Sequence, residues 1–346
     1  MPSSIQPSAT NIGTALERCL GVRSASVEPV SGGANNRVYR VTVDDHTYAL
    51  KFYPMVEQDP RDRMGTEKAA TRFLREHGVT QVPRLIETDP LAGCALFEWA
   101  EGVAVDAVDS SDLTQMLGFV ERLVELRGAP DAEHIGLASE ACLSGAEIVR
   151  QVDVRRQRLS GSADLTKSAA SLLKDVESEL AQLAAKADLT CTKAGIPFDV
   201  DIEEARRVLS PSDFGFHNAL RRPDGTLVIL DLEYFGWDDP VKLAADFLLH
   251  PGMTLTLEQR ADFLGGLRRI FAGDDAFETR LRAFYPLFAL RWVMIIMNEF
   301  LPERWHRRVQ AGETGHREDV LAGQLKKAVG MFRHAQSAGR AFPYDS

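Results

Sequence analysis

Three polar residues in one short stretch have the types and spacing to share a reaction centre. Residues 210–240 read SPSDFGFHNALRRPDGTLVILDLEYFGWDDP. Asp213 is followed five residues later by Asn218, in a segment rich in Ser, Pro and Gly. Segments 218–221 and 226–230 have the length and composition of short strands, and Asp224-Gly225 between them favours a tight hairpin turn. The second strand is apolar and ends on Asp231, with Glu233 close behind. Such a hairpin brings Asn218 and Asp231 together at its open end, beside Asp213. A base, an amide oxygen and a second carboxylate meeting there are suited to orienting a hydroxyl while a divalent cation is held against phosphates.

Phosphates need further partners, and the upstream chain offers them. Segments 27–30, 37–43 and 47–53 read as strands, the last two alternating and joined by the polar turn Asp44-Asp45-His46. The connection between the first two runs from Ser31 to Asn36 and contains Gly32 and Gly33. Its glycines permit close backbone approach to a phosphate, and its amides with Ser31 and Asn36 can donate to phosphate oxygens. No Gly-Lys-Ser/Thr follows and no helix opens behind it, so it is not a Walker A loop. Lys51 lies in the third strand between Leu50 and Phe52, where an ammonium needs an anionic partner. The next segment, 59–77, is helical and carries Glu67 near its middle. Strands at 84–88 and 94–99 then complete a five-stranded sheet, and Glu98, Trp99 and Ala100 lead into a linker. Beyond 111 the chain reads as helix apart from the hairpin, over 111–127, 145–158, 163–187, 241–250, 257–271, 275–300 and 317–335. Residues 1 to about 12 read as disordered, and 12–20 as a short helix.

Bulk properties narrow the class. A chain of 346 residues can form two lobes with cores of their own. A net charge of -10, with no strong Lys/Arg cluster, argues against nucleic acid as a partner. Cys19, Cys94, Cys142 and Cys191 have neither disulfide nor metal spacing, as suits a reducing cytosol. The start, MPSSIQPSATNIG, lacks the charged and apolar regions of a signal peptide. The most apolar run, 284–297, is too short for a bilayer and contains Pro286 and Arg291. A cytoplasmic protein without a membrane partner is expected. These features carry no signal on oligomeric state.

The order Asp, five-residue step, Asn, hairpin, Asp resembles the catalytic and metal loops of kinase-fold enzymes. Asp213-Phe214-Gly215 spells the metal tripeptide of protein kinases, but it precedes Asn218, so Asp231 takes the metal role and Asp213 the base role. Taken together, SGGANNRVYRV, YALK, Glu67, SDFGFHN and ILDLEYFGWDDP, with Asp246 in KLAADF, resemble the aminoglycoside phosphotransferase and choline kinase group of small-molecule kinases. The likeness runs from about 27 to 251. The Asp-x-Glu metal loop, and the lack of a recognisable activation segment before Pro240, set it apart from protein kinases.

The resemblance implies an α+β, bilobal, protein-kinase-like fold. Its N-terminal nucleotide-binding lobe, 1–100, is a five-stranded antiparallel sheet plus one helix; its larger, mainly helical C-terminal lobe, 101–346, carries the catalytic hairpin and an acceptor cleft. It implies ATP and Mg²⁺ as cofactors. Ser31, Gly32, Gly33, Asn36, Lys51 and Glu67 then surround the phosphates, and Glu98, Trp99 and Ala100 pair with adenine. Asn218 and Asp231 hold the metal, Glu233 serves a second metal or braces the loop, and Asp213 is the catalytic base. The reaction implied is transfer of the γ-phosphate to a hydroxyl of a small molecule: an aminoglycoside, amino alcohol or sugar. Tyr234, Trp237, Trp292 and Glu299 are candidates to cage a substrate ammonium. Two positions depart from the group. Pro211 stands where it has a bracing histidine, and its second histidine near 215 is replaced by Gly215, with His217 instead directly before Asn218 as a loop-packing residue. The alternative is a catalytically inactive nucleotide-binding regulator; retention of Lys51, Asp213, Asn218 and Asp231 argues against it.

Overall fold

The alternating early segments pair as expected. A computed structural model describes residues 9–22, 24–30, 37–54, 59, 61–305 and 315–345. The expected phosphate-loop residues Ser31, Gly32, Gly33 and Asn36 lie outside the described residues. Strands β1 (Ser26–Pro29), β2 (Arg37–Val43), β3 (His46–Phe52), β4 (Leu85–Asp89) and β5 (Cys94–Glu98) form one antiparallel sheet in the order β1-β2-β3-β5-β4. Successive side chains of a strand point to opposite faces. Leu50 therefore packs with Val41, Cys94 and Leu96 under helix α1 (Ala9–Leu20), which contributes Ile12, Ala15 and Leu16. Because α1 begins at Ala9, residues 9–11 are helical rather than disordered.

Lys51 projects from the opposite face, where Ala49, Tyr53, Ala95 and Phe97 meet Met64. That methionine belongs to helix α2 (Arg63–Glu76), which starts later than the expected 59 because the Asp62 side chain accepts from the Gly65 amide at 2.9 Å and caps it there. Its buried residues, Arg63, Glu67, Ala70, Thr71, Phe73 and Leu74, form one stripe at helical spacing. The stripe is charged near its start and apolar near its end. The apolar end, with Val79 and Val82, belongs to the same core cluster as Phe119, Phe214 and Leu227 of the helical lobe.

That lobe contains α3 (Ser110–Glu125), α4 (Gly145–Ser160), α5 (Lys167–Lys193), α6 (Pro240–Leu249), α7 (Leu257–Ile270), α8 (Phe277–Ile296) and α9 (Arg317–Arg340). Helix α8 packs against α4, α5, α6 and α9 and forms the centre of the lobe. All ten residues of α6 are buried, and its first turn is fixed by Asp239, which caps the Val241 amide and pairs with Arg280 at 3.1 Å. Between α5 and α6 run β7 (Val208–Ser210), β8 (Ala219–Arg221), β9 (Leu227–Ile229) and β10 (Gly236–Asp238). Strand β6 (Val103–Ala104) pairs with β8, and β7 pairs with β10. Neither β6 nor the β7–β10 ladder is legible as strand in the sequence, since two or three residues carry no periodicity. No helix among the described residues is long and apolar enough to cross a membrane. All four cysteines are free thiols.

Candidate active site

The predicted hairpin forms. Ala219 pairs with Ile229 and Arg221 with Leu227, while the Arg222 amide donates to Thr226 O at 2.8 Å. Asp224 accepts from the Thr226 amide and hydroxyl at 2.9 and 2.7 Å, and Gly225 takes φ of +85°, which a glycine adopts without a Cβ clash. Ser210 faces Gly236 in the β7–β10 ladder, so the loop that carries Asp213 and the loop that carries Asp231 leave the same end of this lobe. Gly236 is required there: a Cβ on it would lie 2.4 Å from the Ala138 amide nitrogen.

Inside the first loop, Phe214 stacks between Phe119 and Phe247, each with its centroid 5.8 Å away, and Phe216 also packs on Phe247. These buried rings pin the backbone on either side of Gly215. The brace expected from a histidine at 211 is supplied differently. Ser210 Oγ accepts from the Ser212 amide at 3.0 Å, and Lys242 Nζ donates to Ser212 Oγ at 2.9 Å. Lys242 is fully buried between Asp238 at 2.9 Å and Asp246 at 3.2 Å. Burial alone would lower its ammonium, but the two carboxylates outweigh that and hold it above the lysine range. Lys242→Met leaves buried Asp238 without its counter-charge and is expected to cost about 3–5 kcal/mol of stability. Urea denaturation checks this, and adding Asp238→Asn should recover part of the loss.

Lys51 closes the site from the other lobe. Its Nζ donates to Glu67 Oε2 and to Asp231 Oδ1, both at 2.5 Å, and lies 3.6 Å from Glu233. Burial opposes the charge, yet Glu67, Asp231 and Glu233 keep the ammonium above its usual range. Tyr53 donates its hydroxyl to Glu67 at 2.8 Å, and the Leu232 amide donates to the same carboxylate at 3.3 Å. Glu67 is thus a buried link between β3, α2 and the loop of Asp231. Asp231 has φ of +63°, a left-handed conformation uncommon outside glycine and a mark of a constrained site. Its carboxyl is pushed up to about 6, first by burial and then by Glu233 and Glu67, against the pull of Lys51.

Asn218 Nδ2 donates to the Asp213 carbonyl at 2.9 Å, which directs the amide oxygen away from that carbonyl. Glu67, Asp231 and Glu233 each offer a carboxylate oxygen within 4.8 Å of the others. Hard oxygen donors of this kind fit Mg²⁺. Glu233 is nevertheless committed. It is buried and accepts from Arg63 Nη1 at 2.6 Å, an arrangement that braces the loop.

Asp213 is gripped by two imidazoles. His217 Nε2 lies 3.0 Å and His250 Nε2 3.5 Å from its Oδ1. Burial pushes this carboxyl up, but the hydrogen bond with His217 and the nearby His250 imidazole prevail and hold it well below the carboxylate range. His217 is therefore more than loop packing, and His250 was not a sequence candidate at all.

The candidate acceptor residues do not form the expected cage. Arg61 and Arg63 already cover the Tyr234 ring at 5.2 and 5.1 Å. Trp237 packs against the main core and donates its Nε1 to Ala132 O at 3.1 Å. Trp292 is buried behind His250, edge-on at 4.7 Å, with Nε1 on Asp246 at 2.9 Å. Glu299 lies in the 3-10 turn Met297–Phe300 after α8. Aromatics in apolar surroundings have gone to the core, as their burial energy favours. At the linker, the Glu98 amide donates to Arg84 O at 2.8 Å and the Trp99 amide to Thr47 O at 3.3 Å. That leaves Ala100 as the linker's candidate donor to a base.

The family model described as phosphotransferase enzyme family matches residues 26–284. The chain belongs to that family. This phosphotransferase has a protein-kinase-like fold: a choline kinase from Streptococcus pneumoniae superposes with a TM-score of 0.60 at 18% identity, over 95% of this chain and 100% of that one. A spectinomycin phosphotransferase, solved with ADP and spectinomycin, gives 0.64 at 12% identity over 99% of both chains. An ethanolamine kinase from Plasmodium vivax gives 0.55 at 12% identity, over 90% of this chain and 84% of that one. At such identities these structures speak to the fold of the phosphotransferase. No curated protein matches its sequence.

Proposed function

We propose that the chain transfers the γ-phosphoryl group of ATP to a hydroxyl of a small molecule. One observation carries the reading: Lys51 and Asp231, 180 residues apart in sequence, meet at 2.5 Å beside Glu67. We take residues 1–100 as the nucleotide lobe and 101–346 as the lobe with the catalytic and metal loops. Lys51, steadied by Glu67, turns from Asp231 to the phosphates. Ser31, Gly32, Gly33 and Asn36 supply donors to those phosphates, and Ala100 donates to adenine. Asn218 and Asp231 hold Mg²⁺, which when bound neutralises charge on the phosphate oxygens. Asp213 accepts the hydrogen of the acceptor hydroxyl and aims its oxygen at the γ-phosphorus. Transfer of this kind rests on positioning and charge neutralisation.

The test is ADP release by the purified protein with Mg-ATP and a panel of choline, ethanolamine, spectinomycin, hygromycin B and simple sugars. One acceptor class should raise the rate well above that with water, and EDTA should abolish it. Mg-ATP binding without any acceptor-dependent turnover would favour the regulator reading. Absence of both would overturn the kinase reading.

A further inference from the structure

The grip on Asp213 comes from an unusual pair of rings. The His217 and His250 imidazoles lie face to face, centroids 3.6 Å apart and planes 4° apart, with both Nε2 atoms toward the same carboxylate oxygen. His250 is set by what surrounds it. The Gly252 amide donates to its Nδ1 at 3.0 Å, so Nδ1 carries no hydrogen, and in the neutral ring the hydrogen sits on Nε2. Trp292, edge-on and anchored to Asp246, fixes the ring plane. His217 folds back from the turn Phe216–Asn218, and Gly215 makes room for it: a Cβ there would lie 2.8 Å from His217 Nδ1.

We propose that His217 and His250 form a paired positioning device for the base, both donating Nε2–H to Asp213 Oδ1 so that Oδ2 is presented to the acceptor hydroxyl. The inference rests on reading Asp213 as that base. It assigns a role to His250, at the end of α6. The same atoms have the proximity of a metal-ligand set, lying within 4.8 Å of one another. Ligation would require a bare Nε2 lone pair on His250 and hence a hydrogen on Nδ1, where the Gly252 amide already donates.

The experiment compares His250→Gln with His250→Phe, and His217→Gln with His217→Phe. Glutamine retains an N–H donor, whereas phenylalanine retains only the ring. Turnover is read as ADP release with water and with the best acceptor of the panel above. Each Phe variant should lose about 10- to 100-fold in kcat, as expected for a hydrogen bond to a charged group, with KM for Mg-ATP unchanged. Each Gln variant should recover most of that loss. Equal kcat in the Gln and Phe variants, or wild-type kcat in the Phe variants, overturns the pair while leaving the kinase reading intact. Lack of turnover in the wild type sinks that reading instead. In that case ¹⁵N spectra of histidine-labelled protein still decide. An Nε2–H His250 ring whose signals ignore added Zn²⁺ supports the inference, and an Nδ1–H ring or a Zn²⁺-shifted signal overturns it.

Discussion

Asp213→Ala is expected to lower acceptor-dependent turnover by about 10²–10⁴-fold, the range over which a positioned base contributes. Mg-ATP affinity should stay close to that of the wild type. The separation of effects follows from the geometry. Asp213 is held by His217 and His250, while Lys51 pairs with Glu67 and Asp231, so the alanine removes no partner of the ammonium. The Asp213 backbone carbonyl that Asn218 uses survives the substitution. Folding should survive too, because the alanine leaves in place the buried Phe214 and Phe216 that pin the loop. Steady-state kinetics with the best acceptor, together with calorimetric titration of Mg-ATP, measure both quantities. Turnover that persists in this variant would refute the base assignment, whatever its nucleotide affinity.

Asp231→Ala should have the opposite signature. Mg-dependent nucleotide affinity is expected to fall at least about 100-fold, since even the loss of an outer-shell partner can cost that much at a metal site. The protein should remain folded, because Lys51 keeps its 2.5 Å contact with Glu67 and is not stranded. The nucleotide-free site even loses a burden: Asp231 is pushed up to about 6 by burial and by Glu233 and Glu67, so keeping it ionised at neutral pH works against the fold. The sign is that of an acid whose folded value lies above its unfolded one, so its contribution to stability declines as pH rises from about 4 toward 6. Unaltered Mg-ATP affinity in the alanine variant would remove Asp231 from the metal site.

The parts of this centre that lie in one stretch were legible from the chain alone. Asp224-Gly225 announces the hairpin, and the hairpin fixes where Asn218 and Asp231 must meet. Lys51 stands out because it interrupts an apolar strand. Its link to Glu67 follows from kinase-like ordering, and the fold class follows from the motifs together. Less visible are the side chains whose role depends on tertiary packing. His250 lies at the end of a buried helix and acquires meaning only when α6 packs behind the loop of Asp213. Arg63, at the start of α2, likewise gains its role in the interior, where it neutralises Glu233. Lys242 does carry a signal in the sequence: it sits in an otherwise apolar helix with Asp246 at i+4 and Asp238 four residues upstream, just before the helix, so its burial demands that they pair with it. The aromatics after Asp231 were read for their chemistry, whereas burial and neighbouring arginines settled where they went.

The stripe on α2 has a consequence for how the molecule could be taken apart. Phe73 and Leu74 belong to the core cluster of the helical lobe, and Arg63 is neutralised from that side by Glu233. Scission in the linker after Ala100 would therefore cut a covalent bond without freeing two autonomous pieces. The nicked halves would stay associated, and either half produced alone would carry a raw greasy seam into solvent.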